Sequence, residues 1–181
     1  MNTLVQQAVT AHREGKLEEA VKLYQKILAT QPNFSEVHNN LGAALKDLGR
    51  LGEAEKSFKK ALELKLDYVE AHNNLGNTLF ELNKIDEAER SYKKAIELRT
   101  DYADAYNNYG SMMQKLGRLD VAEKNIKKAI ELKINKPEFH YNLGIILDIS
   151  GRLDEAIKSF LKVIEIKPNY AEAYYNLGIL L

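Results

Sequence analysis

An asparagine recurs every 34 residues: Asn40, Asn74, Asn108, Asn142 and Asn176. A second amide precedes it at Asn39, Asn73 and Asn107, where the last two copies carry Tyr141 and Tyr175. Asparagine is a poor helix-interior residue, because its side chain competes for nearby backbone groups. Five in one register break that local rule without a local gain, which points to a binding site or to a contact between repeats. A carboxamide both donates and accepts hydrogen bonds. A ladder of them can hold an extended peptide backbone with little regard to its side chains, or it can tie neighbouring helices together. Both readings stand at this level.

A row of acids shares the period: Glu36, Glu70, Asp104, Glu138 and Glu172. It invites a basic ligand. Each acid, however, follows Asn33, Asp67, Asp101, Asn135 or Asn169 by three residues. That spacing reads as a capping box, with Asn or Asp at the N-cap and an acid near the positive helix end. Capping is expected to account for the row, leaving room for a modest preference for basic peptides. His38, His72 and His140 share a register with Tyr106 and Tyr174, so they read as packing aromatics rather than as metal ligands with local i,i+4 spacing. The pairs Glu55–Lys59, Glu89–Lys93 and Glu123–Lys127 have the favourable i,i+4 order of a solvated helix face. No glycine-rich phosphate loop, nucleophile elbow or His-Glu-x-x-His occurs. The acids recur with the period rather than converging on one site. No enzyme activity, metal or cofactor is expected.

The elements that must position these residues follow from the same period. Residues 1–34, 35–68, 69–102, 103–136 and 137–170 form full units, and 171–181 a partial sixth. Each full unit reads as two helices; in the second, Val37, Leu41, Ala44, Leu45 and Leu48 recur at helical spacing, as do Ala54, Phe58, Ala61, Leu62 and Leu64. Gly42, Gly76, Gly110, Gly144 and Gly178 sit inside the first helix, where glycine costs about 1 kcal/mol against alanine. Close approach of a neighbouring helix would explain them. Gly15, Gly49, Gly117 and Gly151 fall where the first helix ends, and Asn83 replaces glycine in the remaining unit. Asparagine is the next most tolerant residue for a left-handed C-cap. In the second helix a small residue (Ala20, Ala54, Ala88, Ala122, Ala156) precedes a large one four positions on (Tyr24, Phe58, Tyr92, Ile126, Phe160).

These columns resemble the tetratricopeptide repeat, with its Leu-Gly at positions 7 and 8, Ala at 20, an aromatic at 24, Ala at 27 and Pro at 32. Position 32 departs from the pattern, being Leu66, Thr100 and Ile134 in three units, and the first unit has Gln7-Ala8 in place of Leu-Gly. The resemblance implies an all-α fold, an α-α superhelix that is a right-handed solenoid of antiparallel helix pairs. In such arrays positions 2, 5, 6, 9, 12 and 13 of the first helix line a concave groove, so the resemblance assigns that face to a ligand. The asparagine column is similar to the ladder in the repeat array of O-linked N-acetylglucosamine transferases. The expected peptide-binding residues are Asn39, Asn40, Asn73, Asn74, Asn77, Asn107, Asn108, Tyr141, Asn142, Ile145, Tyr175 and Asn176. The groove is graded, with amides in its middle and the apolar Tyr141, Ile145, Ile149, Tyr175 and Ile179 toward residue 181. Positions 2, 5 and 6 carry no Lys or Arg, so a cationic clamp for a peptide carboxylate is not expected.

Composition bounds the partners. The 26 Lys and Arg balance 26 Asp and Glu, so the chain lacks the basic excess of a typical nucleic-acid binder. With no cysteine, disulfide and thiolate-metal chemistry are excluded. No apolar run approaches the ~20 residues that span a bilayer, and the first residues hold no secretory h-region. The expectation is a cytoplasmic scaffold that binds a protein or peptide, with no nucleic acid and no membrane. Two alternatives are a substrate-recruiting arm of a larger glycosyltransferase or sulfotransferase, and a self-assembly module that associates through its apolar last helix. The period is in phase from Met1 and stops eleven residues into a sixth unit, which reads as an authentic start and a truncated end.

Overall fold

Alternating runs of helix-forming residues and turn residues decide the architecture. The computed structural model describes residues 3–181 and, among them, eleven α-helices. They are α1 (Thr3–Arg13), α2 (Leu17–Thr30), α3 (Ser35–Asp47), α4 (Leu51–Leu64), α5 (Val69–Glu81), α6 (Ile85–Leu98), α7 (Ala103–Lys115), α8 (Leu119–Leu132), α9 (Pro137–Ile149), α10 (Leu153–Ile166) and α11 (Ala171–Leu180). The chain divides into two compact units, one ending at Leu98 and the other beginning at Arg99. In the first, α1 packs on α2, α3 on α4 and α5 on α6, and α2 and α4 also pack on α3 and α5. In the second, α7/α8 and α9/α10 repeat the arrangement and α11 packs on α10. The fold is all-α, as the resemblance implies.

The first helix of a pair stops because the chain turns left-handed. At Gly49, φ is 75°, its N–H donates to the Lys46 carbonyl at 2.8 Å, and the next N–H, of Arg50, donates to Leu45 at 2.9 Å. This is the Schellman closure that satisfies the last helical carbonyls. Asn83 makes the same closure at φ 59°, through Asn83 to Phe80 at 2.9 Å and Lys84 to Leu79 at 2.8 Å. The one non-glycine in this column therefore adopts the expected conformation.

The mid-helix glycines answer to packing. A Cβ on Gly144 would lie 2.6 Å from Phe160, and one on Gly76 would lie 2.8 Å from Tyr92. The large residue of the second helix fills the space that the glycine leaves. Ala54, Ala88, Ala122 and Ala156, together with Phe58, Ile126 and Phe160, are fully buried. Small against large gives the helix pairs their interlock. Gly178 has the same register, yet nothing lies within 4 Å of its would-be Cβ.

The helix starts differ from expectation. The N-caps are Phe34, Tyr68, Tyr102, Lys136 and Tyr170, and none makes a side-chain capping bond. Asn33, Asp67, Asp101, Asn135 and Asn169 lie one residue too early. The acid thus falls at the second helical position, where it faces the positive helix end but closes no capping box. Charge near the helix end survives as an explanation of the acid row, and the reciprocal hydrogen bonds do not.

Candidate functional site

The asparagines sit on first helices whose apolar stripe (Val37, Leu41, Ala44 and Leu45 on α3; Ala71, Leu75 and Leu79 on α5) is turned into the core. That orientation leaves the amides at its edge. In the first unit Asn39 and Asn73 are buried, while Asn40, Asn74 and Asn77 are half-buried. Asn74 donates through Nδ2 to Asn39 Oδ1 at 3.1 Å, and Asn39 donates to Asn40 Oδ1 at 3.5 Å, the weak limit of such a bond. Asn77 lies apart from this chain; its Oδ1 accepts the buried Tyr92 hydroxyl at 2.7 Å. Burial pushes the Tyr92 phenol far above its ordinary value, so the hydroxyl stays protonated and needs that acceptor.

In the second unit Asn107, Asn108, Tyr141, Asn142, Ile145 and Asn176 are half-buried, and Tyr175 is 72% exposed. Asn142 donates to Asn107 Oδ1 at 2.8 Å and to Ser111 Oγ at 3.1 Å. Asn176 donates to the Tyr141 hydroxyl at 3.0 Å. The rule is the same in both units: Asn74, Asn142 and Asn176 each reach back 35 residues to the neighbouring first helix and donate to whatever acceptor stands there. Each of these amides is thus a strut between consecutive repeats. Among the described residues, no buried side-chain nitrogen or oxygen lacks a partner.

The apolar end has its own anchoring. The Tyr141 ring lies 5.8 Å from Phe160 and 5.3 Å from Tyr170, which holds it against the core. Ile145 packs on the cluster of Leu147, Ala156 and Phe160. Ile149, Tyr175 and Ile179 are exposed.

Several polar contacts were hidden from the sequence. The histidines are not simple packing rings: Nε2 of His38, His72 and His140 meets the carbonyl oxygen of Pro32, Leu66 and Ile134 at 2.8, 2.9 and 2.7 Å. Each ties down the loop that enters its helix, and the constant six-residue separation was the available signal. The expected i,i+4 ion pairs form, with Lys59 on Glu55, Lys93 on Glu89 and Lys127 on Glu123 at 2.6–2.7 Å. Two of these glutamates also cross to the next repeat, Glu55 to Lys84 and Glu123 to Arg152, both at 2.8 Å. Among the described residues no group of three or more His, Asp or Glu could hold a metal ion, and no helix is long and apolar enough to cross a membrane.

Comparison with known proteins places this arrangement. Family models described as tetratricopeptide repeat match residues 1–67, 33–101 and 103–133, and one described as TPR repeat matches 149–181. A comparison with curated protein sequences gives no match. Among solved structures, the chain is similar to MamA at 29% identity and a TM-score of 0.77, covering 95% of this chain and 98% of that one. It shares the fold of TTC0263, a thermophilic repeat protein of Thermus thermophilus, at 22% identity and a TM-score of 0.83, covering 98% and 96%. It also shares the fold of YrrB, described as a repeat protein with an unusual peptide-binding site, at 22% identity and a TM-score of 0.72, covering 96% and 89%. Glycine notches, alanine–aromatic interlock and left-handed closures recur along a chain matched by these models over most of its length, and the chain belongs to the tetratricopeptide repeat family.

Proposed function

We propose that this interaction scaffold binds an extended segment of a partner protein along its first helices, with the half-buried asparagines Asn40, Asn74, Asn108, Asn142 and Asn176 as the polar contacts. The observation that carries the reading is the strut geometry. A single bridge, as at Asn74 and Asn176, uses one of a carboxamide's two N–H donors and leaves its oxygen open, whereas the Asn40 and Asn108 oxygens accept long bonds from Asn39 and Asn107 at 3.5 and 3.4 Å. Asn176, for example, makes a single bridge, to Tyr141. The bridge also fixes the rotamer, so a peptide meets an amide that is already ordered and costs little entropy to engage. Asn39 and Asn73 act behind this surface, as buried supports. The fold shared with YrrB, which has a peptide-binding site, supports the same reading. The proposal includes a cytoplasmic location and no catalytic step.

The test uses a display library of unstructured dodecapeptides, selected on the wild-type chain and then measured on Asn74→Ala and Asn108→Ala. The expected result is selected peptides whose affinity falls about tenfold in either variant, as for loss of hydrogen bonds worth about 1–1.5 kcal/mol. Unchanged affinity with an intact circular-dichroism melt would refute the asparagine contacts. Exposed Tyr174, Tyr175, Ile179 and Leu181 at the α11 end favour a second reading, self-association through that helix. Light scattering at rising concentration checks it, and a monomer throughout would remove it.

A further inference from the structure

The surface where α9 meets α11 differs from the rest in its chemistry. An open hollow of about 390 Å³ is lined by Tyr141, Ala171, Glu172, Tyr175 and Asn176. One wall is fixed: Tyr141 rests on Phe160 and Tyr170 and accepts a hydrogen bond from Asn176. Tyr175 also lines the hollow and is 72% exposed. The rim is acidic. Glu172 stands in the hollow. Burial first, then Glu138 and Glu172, then Tyr141, hold the Tyr170 phenol above its ordinary value.

Among the described residues no Lys or Arg pairs with Glu138 or Glu172. At the matching register of the preceding repeat, Lys133 pairs with Asp104 at 3.0 Å. Its counterpart Lys167 stands instead over the Tyr170 ring, 5.1 Å from the centroid. Two aromatic residues, a carboxylate and an amide therefore line one open hollow. Tyrosine faces attract cations through the ring quadrupole, and a nearby carboxylate adds a directed hydrogen-bond acceptor.

We propose that this hollow is a subsite for a cationic side chain of the bound partner segment, with an arginine guanidinium stacked on Tyr175 and paired with Glu172. The inference rests on the peptide-binding reading above and adds the side chain that reading leaves open. Arginine fits better than lysine, because its planar group stacks on an aromatic face while its N–H fork meets the carboxylate. Tyr141 and Asn176 are positioning residues, since their mutual hydrogen bond fixes the wall against which the guanidinium lies.

Two acetylated, amidated heptapeptides of Gly, Ser and Ala test this, one with a central arginine and one with citrulline, its neutral isostere. Each is titrated into the isotopically labelled chain and followed by nuclear magnetic resonance. The expected result is that the arginine peptide shifts resonances of Glu172 and Tyr175, that citrulline binds about fivefold more weakly, and that Glu172→Gln abolishes the difference. Tyr175→Leu keeps apolar bulk but removes the ring, and is expected to weaken arginine binding by a similar factor. Thermal midpoints of both variants within a degree or two of wild type verify folding. Equal binding of the two peptides overturns the cationic subsite and leaves the asparagine reading intact. Shifts that map away from α9 and α11 also overturn the subsite. No shift anywhere, on α3, α5, α9 or α11, overturns both proposals together.

Discussion

Helices α3 and α5 in one unit and α9 and α11 in the other present the same register with different side chains. On the first pair Asn39 accepts the bridge from Asn74; on the second Tyr141 accepts it from Asn176, at 3.1 and 3.0 Å. The donor is constant and the acceptor is not. An amide oxygen and a phenol hydroxyl serve the strut equally, because the donor needs only an acceptor at the right distance. The substitution changes what the surface offers. Asn39 is buried and shows little to solvent, whereas Tyr141 brings a ring, and Tyr175 beside it is largely exposed. The strut and the chemistry exposed beside it are thus separable at one pair of adjacent positions.

The largest expected effect breaks what both regions share. In Gly144→Ala the new Cβ would meet buried Phe160 at 2.6 Å, and a fully buried ring cannot swing away. Overpacking of about 1–3 kcal/mol should outweigh the ~1 kcal/mol gain in helix propensity, so the urea midpoint falls. Gly178→Ala meets open space and should raise stability by about 0.5–1 kcal/mol. A fall in both variants would mean that the glycine column is not explained by packing.

The next effect separates the two struts. Asn142→Ala leaves Asn107 and Ser111 without their donor, at a cost of about 1–2 kcal/mol, offset by about 0.5 kcal/mol of helix propensity. Asn176→Ala strands only the Tyr141 hydroxyl, which water can reach, so its melt should move little. Equal losses would show that neither the second acceptor nor solvent access sets the cost of losing a strut.

Acid is expected to loosen the inter-repeat ion pairs in both units. Burial pushes the Glu55 carboxyl up, but the hydrogen bonds from Lys59 and Lys84 outweigh it and hold the group below its ordinary value. Lys127 first, then Arg152, against burial, do the same for Glu123. A depressed folded value means that the contribution is full above the ordinary 4.5 and is lost as pH falls through the lower, folded value. Stability of Glu55→Gln and Glu123→Gln should therefore approach that of wild type as pH drops below 4.5. A gap independent of pH would contradict the pairing.

The smallest effect concerns the loop histidines. Burial, opposed by the hydrogen bond to Leu66 and aided by Lys94, holds His72 below its ordinary 6.5. Stability from the neutral ring is complete above pH 6.5 and declines as pH falls through the lower, folded value. Comparison of wild type with His72→Gln by denaturation at pH 5 and pH 8 should show a slightly larger advantage of wild type at pH 8.

Much of this was legible because a period multiplies weak signals. One mid-helix glycine says little, but Gly42, Gly76, Gly110 and Gly144 in phase, each sixteen residues before a large side chain, specify a close approach. Asn83 was legible as a left-handed turn for the same reason. What escaped depends on geometry between elements. The 29-residue reach from Glu55 to Lys84 follows from how α4 meets the start of α6, which no local pattern encodes. The capping box failed by a single residue, because helices here begin one position later than the Asn/Asp column suggests. At the candidate site the asparagines were legible as a column, but the bridging role of each Nδ2 was not, since two repeats must be placed before a donor can be matched to an acceptor.

Among the described residues of each unit, the main helix contacts join helices one or two places apart along the chain. A change at one repeat is therefore felt by its immediate neighbours and fades beyond them. Such a chain can drift piecemeal. Tyr141 can stand where other repeats carry Asn39 and Asn107 without any compensating change at Asn39, since only the local donor Asn176 has to be satisfied. The same short reach makes a row of near-identical repeats a set of independent slots, each free to acquire its own side-chain preference while the chain around it stays folded.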